Sequence, residues 1–262
     1  MVRATGVAEA LREDQLRRYS RQMILSEIGG SGQRRLLTAR VLVVGAGGLG
    51  SPAALYLAAA GVGTLGLVDA DRVEVSNLQR QILHGVDDLE RPKVLSGRDR
   101  LEALNPDIRV VPHAVRLDAA SAAAVVEDYD VVVEGSDSQA TKLAVSDACV
   151  ARGRPLVVAG ILGWDGQLLV QVPGVTPCYR CVYREAAPAG SVPTCQAAGV
   201  VGPVAGVVGS MQALETLKLL LDLPSPLQGR LLFYDGRRGE TTLVSAQRDP
   251  GCRACGERME RP

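Results

Sequence analysis

An α/β fold with a doubly wound, mostly parallel sheet is what this sequence predicts, on three observations. Short β-branched runs alternate with stretches of helical spacing through the first two thirds of the chain. The run "RVLVVG" leads straight into a glycine cluster, Gly45, Gly47 and Gly50, and then a helix start. A second strand, "TLGLVDAD", follows at the length a βαβ unit requires. Strands that are apolar throughout are covered on both faces, so helices flank the sheet on both sides in a Rossmann-like arrangement.

Taken in order, residues 8–28 read as one helix, with Leu11, Leu16, Tyr19, Met23 and Ile24 at helical spacing. The N-terminal segment 8–38 is expected to be helical. After the glycines, "SPAALYLAAAG" opens a helix with Pro52 in its first turn, where a missing N–H costs nothing. Further strands are expected at "IRVVPHAV", "YDVVVEG", "RPLVVAGIL" and "GQLLVQVP", and helices at 92–104, 118–128, 138–152 and 203–222. The last third departs from the rhythm: "REAAPAGSVPT" (184–194) reads as a mobile crossover loop, and "GRLLFYDG" with "GETTLVSA" as a late hairpin. A single domain over 1–257 is expected, with a nucleotide-binding half at 40–160, a β-rich part at 161–257 and a short tail.

Basic and acidic residues balance at 29 each, which favours neither a nucleic acid nor an anionic membrane as partner. Only three of the basic residues are lysines, Lys93, Lys142 and Lys218. The opening residues lack a secretory apolar stretch, and the longest apolar run, "GVVGPVAGVVGSM", is too short for a bilayer. A soluble, cytoplasmic protein is expected. Six cysteines in 262 residues do not make a disulfide scaffold, but four form C-x-x-C pairs.

The chemistry begins at the loop. Gly45, Gly47 and Gly50 fit G-x-G-x-x-G, which offers backbone N–H groups and a helix N-terminus to a phosphate. Asp69 ends the second strand nineteen residues past Gly50, where an acid commonly meets a ribose hydroxyl. This pattern suits an adenine nucleotide without choosing among NAD, FAD and ATP. The next stretch, "DADRVEVSNLQRQ", adds Asp71, Asn77, Arg80 and Gln81, and Lys93 follows after "RP". Cations beside a nucleotide suit chemistry that expels pyrophosphate, because charge builds on the transferring and leaving oxygens; a solvated polar loop is the bland alternative. Asp137 stands at another strand's carboxyl end, either as a Mg²⁺ ligand or as the cap of the next helix, and Glu134 is a less favoured ligand.

"CYRC" (Cys178, Cys181) and "CRAC" (Cys252, Cys255) suit a closed tetrahedral Zn²⁺ site that clamps the C-terminal region onto the middle of the chain. Neither pair opens a helix after the first strand, as a thioredoxin-type motif should. Cys149, in an apolar helix, reads as core; Cys195 is either a partly buried thiol or a nucleophile.

Taken together, "RYSRQ", "GAGGLG", "DADRVEVSNLQRQ", "RPK", "GSDS", "CYRC", "TCQAAGV" and "PGCRACG" resemble the E1-like adenylyltransferases of the ThiF/MoeB/HesA family, over about residues 13–257. Within it the chain looks most like the molybdopterin-synthase adenylyltransferase (MoeB) type. The resemblance implies ATP-dependent adenylation of the C-terminal glycine of a small ubiquitin-fold sulfur carrier. It places ATP against Gly48 and the segment Ser76, Asn77, Leu78, Gln79 and Arg80, with Asp69 on the ribose. Arg80 and Lys93 would hold phosphates, and Asp137 would bind Mg²⁺. Arg21 matches an arginine that reaches the partner's site in a homodimer, and Cys195 a cysteine that forms a thioester in some members. Ser138 stands where the family commonly has asparagine. The sequence ends seven residues after Cys255, so no rhodanese domain is expected and sulfur would come from a separate cysteine desulfurase or rhodanese. The alternatives are an NAD(P)-binding oxidoreductase, which leaves Lys93 and the cysteine pairs without a role, and a non-catalytic nucleotide-binding regulator.

Overall fold

A computed structural model of the chain describes residues 10–186 and 198–256. It opens with α1 (Glu13–Met23) and α2 (Gly29–Thr38), then β1 (Arg40–Val44), α3 (Gly50–Ala59) and β2 (Thr64–Val68). Two single 3₁₀ turns, Val75–Asn77 and Val86–Asp88, precede α4 (Lys93–Leu104) and β3 (Arg109–His113). Next come α5 (Ala122–Val126), β4 (Val131–Glu134), α6 (Gln139–Arg152), β5 (Leu156–Leu162) and β6 (Asp165–Gln171). The short α7 (Tyr179–Val182), the long α8 (Gly202–Leu220) and a hairpin of β7 (Arg230–Asp235) and β8 (Glu240–Ser245) complete the described residues.

The eight strands form one sheet in the order β3-β2-β1-β4-β5-β6-β7-β8. From β3 to β5 all neighbours are parallel; β6, β7 and β8 extend the sheet antiparallel. The strand order reverses between β1 and β4, and the crevice outside their carboxyl ends is where open α/β sheets bind ligands.

Side-chain alternation sorts the central strands into two cores. Val41, Val43, Val131, Val133, Val157 and Val170 pack with α3, α4 and α8 on one face. Leu42, Val44, Val132, Leu156, Val158 and Leu169 pack with α5 and α6 on the other. Both faces are therefore covered, as the uninterrupted apolar runs require. Cys149 lies wholly buried in the second core, as a small apolar residue.

Two expectations are corrected. The helix read over 8–28 is shorter among the described residues: α1 covers only Glu13–Met23, turns follow, and Gly29 at φ 54° opens α2 within the helical segment expected over 8–38. The glycine-rich α2 has poor intrinsic propensity, but burial of Gln33 and Leu36 overrides it. The helix expected over 118–128 is confined to Ala122–Val126. Upstream, the Asp118 carboxylate instead takes the N–H groups of Ala120 and Ser121. Residues 8 and 9, most of the expected crossover loop and Cys195 lie outside the described residues.

Candidate active site

A cavity of about 690 Å³ opens at the β1/β4 switch point. Its floor is the glycine loop. Gly45 has φ 91°, and a Cβ there would press on the Gly135–Ser136 backbone at 3.0 Å. A Cβ at Gly50 would fall 1.7 Å from the Gly45 oxygen. Glycine at these two positions lets the loop after β1, the start of α3 and the loop after β4 converge.

Asp69, at the end of β2, ties this floor together. One carboxylate oxygen accepts the Ala46 N–H at 2.9 Å and the other the Asp71 N–H at 2.8 Å. Asn77, Arg80 and Gln81 flank the opening. The Arg80 guanidinium donates to the Ser76 carbonyl at 3.0 Å, while its methylenes lie beside Gly48. Gln81 is buried, and its amide oxygen has no partner among the described residues. Lys93 is the first residue of α4 and is only 6% exposed; its ammonium lies 3.5 Å from Asp71, its one described carboxylate partner. A buried ammonium with so loose a partner is available to an incoming anion.

Across the cavity, Glu134 and Asp137 divide the roles that the sequence left open. Glu134 is fully buried and receives the Lys142 ammonium at 2.5 Å; Lys142 also donates to the Ala159 carbonyl at 2.7 Å. The same carboxylate accepts from the Ser136 N–H and hydroxyl. Burial raises the Glu134 carboxyl above the usual range, and Lys142 and Ser136 pull it down. Glu134 is thus an internal tie rather than a ligand. Ser138 caps α6, its hydroxyl accepting the Thr141 N–H at 3.2 Å. Capping falls to Ser138, so Asp137 is exposed on the cavity wall with no hydrogen bond or ion pair to the described residues. Asp165, exposed and without a partner among the described residues, lines the same cavity, and free carboxylates of this kind are hard oxygen donors that could hold Mg²⁺.

Of the expected nucleotide residues, Gly45, Gly47, Gly48, Asp69, Asp71, Asn77, Arg80, Gln81, Lys93, Asp137 and Ser138 all line this cavity. Ser76, Leu78 and Gln79 do not; the Ser76 hydroxyl donates to Glu74 and the Gln79 carbonyl abuts Gly202. Arg21 is exposed in the last turn of α1 and is absent from the lining of its own chain's cavity.

The far wall holds residues that motif reading missed. Tyr179 and Tyr183 stack with ring centroids 4.7 Å apart, and the Tyr183 hydroxyl donates to Gln167 at 2.5 Å. Gly160, Ile161, Leu162 and Phe233 continue this less polar end. The signal lies in "CYRCVY", where Tyr179 and Tyr183 straddle Cys181.

Those cysteines converge. Cys178, Cys181, Cys252 and Cys255 place their sulfurs within 4.8 Å of one another, with near contacts of 3.8, 3.6 and 3.4 Å. These separations are far beyond a disulfide bond. Tetrahedral thiolates at ~2.3 Å from a Zn²⁺ ion stand about 3.8 Å apart, so the cluster fits a metal. The Asp249 N–H points at Cys181 Sγ from 3.5 Å, the kind of outer contact that steadies a thiolate ligand.

A glycine cradle, an acid on the nucleotide strand, two cations and a free carboxylate at the switch point define an α/β nucleotide-binding protein equipped for phosphate chemistry. The ThiF family model matches residues 19–254, and the chain belongs to the ThiF family. It is 47% identical over 250 residues to the sulfur carrier protein adenylyltransferase of Thermus thermophilus, covering 94% of this chain and 92% of that one. The SAMP-activating enzyme E1 of Haloferax volcanii is 49% identical over 243 residues, covering 93% and 90%. The adenylyltransferase and sulfurtransferase MOCS3 of Bos taurus is 51% identical over 250 residues; this chain spans only 55% of that protein's length. Among solved structures, E. coli MccB with ATP superposes with a TM-score of 0.77 at 26% identity, over 91% of this chain and 73% of that one.

Proposed function

We propose that this protein adenylates the C-terminal glycine carboxylate of a ubiquitin-fold sulfur carrier, forming carrier acyl-AMP and pyrophosphate. The observation that carries the reading is the grouping of Lys93, Arg80 and Asp137, unpaired among the described residues, around the glycine loop. The T. thermophilus sulfur carrier protein adenylyltransferase, the H. volcanii SAMP-activating enzyme E1 and the ATP complex of MccB support it. A hydride-transfer site gives no work to that charge.

The carrier carboxylate, already ionised at neutral pH, attacks the α-phosphorus; the bond to the bridging oxygen breaks and pyrophosphate leaves. No general base is needed, so positioning and electrostatics supply the catalysis. Asp69 meets the ribose, Gly45 to Gly48 and Gln81 cradle phosphates, and Arg80 and Lys93 offset charge on the leaving group. Asp137 would hold Mg²⁺, which when bound would supply positive charge to offset that of the triphosphate. The Tyr179–Tyr183 end, with Gly160 and Gly166, admits an extended glycine tail that has no side chains to clash. Arg21 acts in trans, which makes the active form a homodimer. The four-cysteine site holds Zn²⁺ as a structural clamp. Cys195 would form a thioester with the carrier in a further step that adenylation itself does not require.

Hydroxylamine capture tests the product. With ATP and a Gly-Gly carrier, mass spectrometry should find the carrier's terminus converted to a hydroxamate. An unmodified carrier at full ATP-binding occupancy contradicts the proposal.

A further inference from the structure

His84 belongs to none of the groups above, yet it is buried directly behind the glycine loop. Its Nε2 lies 3.0 Å from the Ala46 carbonyl oxygen and its Nδ1 2.8 Å from the Ser96 hydroxyl. A carbonyl only accepts, so Nε2 carries the proton, and in the neutral ring Nδ1 is left as an acceptor toward the Ser96 hydroxyl, which the Asp88 carboxylate also faces. Burial, with Lys93 nearby, lowers the His84 pKa and keeps the ring neutral. The Ala46 N–H is held in turn by Asp69. Ala46 is therefore fixed at both its donor and its acceptor.

The Ala46 carbonyl shares a peptide plane with the Gly47 N–H, and in a trans peptide the two point in opposite directions. Holding the oxygen inward on His84 aims the Gly47 N–H outward, and Gly47 lines the cavity. Ser96, the other anchor, lies three residues along α4 from Lys93. We propose that His84 is a positioning residue for the nucleotide site, locking the Ala46–Gly47 peptide and joining it to the helix that carries Lys93. One side chain thereby sets the spacing between the neutral donors and the cation that hold the same phosphates. The proposal rests on the reading of this cavity as an ATP site.

The test is calorimetric ATP binding to the full-length protein and its variants, with melting temperature as a control. His84→Gln keeps an amide N–H for Ala46 and an oxygen for Ser96; His84→Leu fills similar space and offers neither. The leucine variant should bind ATP about tenfold more weakly, the value of one lost buried hydrogen bond, and glutamine should recover most of it. Equal losses in both variants, or wild-type affinity in the leucine variant, overturn the proposal. If the leucine variant does not fold, Ser96→Ala decides: it frees the ring and should weaken ATP binding several-fold, and unchanged affinity counts against the latch. Failure of the wild type to bind ATP would instead refute the nucleotide reading itself.

Discussion

Lys142 Nζ sits 2.5 Å from Glu134 Oε2, an ion pair 7% and 0% exposed by residue, immediately beneath the loop that presents Asp137. This pair allows a carboxylate at the end of a central strand to be buried. It spends Glu134 on Ser136 and Lys142 and leaves Asp137, without a partner among the described residues, facing the cavity.

Removing one partner strands the other. Lys142→Met should cost about 3–5 kcal/mol in urea unfolding, because a buried carboxylate is left without its counter-charge. The double variant Glu134→Gln/Lys142→Met should recover a large part of that loss. Equal destabilisation in single and double variants would show that packing, not charge, sets the cost.

The cysteine cluster joins two stretches more than seventy residues apart, Cys178–Cys181 and Cys252–Cys255. Elemental analysis should find one zinc per chain. Chelation, or Cys255→Ser, should lower the melting temperature by several degrees, since metal bound only by the folded state stabilises it. A chelated protein with no zinc and an unchanged melting temperature contradicts a structural metal.

The two histidines give a pH dependence of defined sign. Burial lowers the pKa of both His84 and His113 below the ordinary 6.5. The unfolded chain therefore binds protons more readily, so their contribution to stability is complete above about pH 6.5 and is lost as pH falls through the folded values. His84→Gln/His113→Gln should flatten this part of the stability profile, apart from the lower window in which carboxylates such as Asp88 and Asp118 titrate. A profile unchanged by the double substitution contradicts the assignment.

Arg21 is tested by mixing. If it completes the partner's site, Arg21→Ala and Lys93→Ala proteins are each inactive alone. Re-equilibrated mixtures should regain about one quarter of wild-type activity, from heterodimers with one intact site. No recovery in verified heterodimers would remove Arg21 from the site.

The parts of the site that were legible in the sequence are those fixed by backbone geometry. Gly45 and Gly50 are readable because any side chain there collides with main chain. Lys93 is readable because it opens a helix after "RP", and the cysteine pairs because their spacing is short and regular. Tertiary context decided the rest. Nothing local marks Glu134 as Lys142's partner rather than a ligand, since the contact depends on how α6 packs against β4 and β5. The break after α1 and the helix in "GGSGQRRLLT" depend on burial of Gln33 and Leu36, which propensity does not register. Tyr179 and Tyr183 become a cavity wall only once α7 packs on α6 and the Tyr179 N–H meets Gln171 of β6.

Carrier-dependent exchange of labelled pyrophosphate into ATP reports the adenylation step itself. With a Gly-Gly carrier and Mg²⁺ the wild-type protein should catalyse exchange, and Lys93→Ala and Asp137→Ala should reduce it at least 10²-fold while remaining folded. Exchange that is absent with every Gly-Gly carrier tried, or that survives both substitutions undiminished, would contradict it.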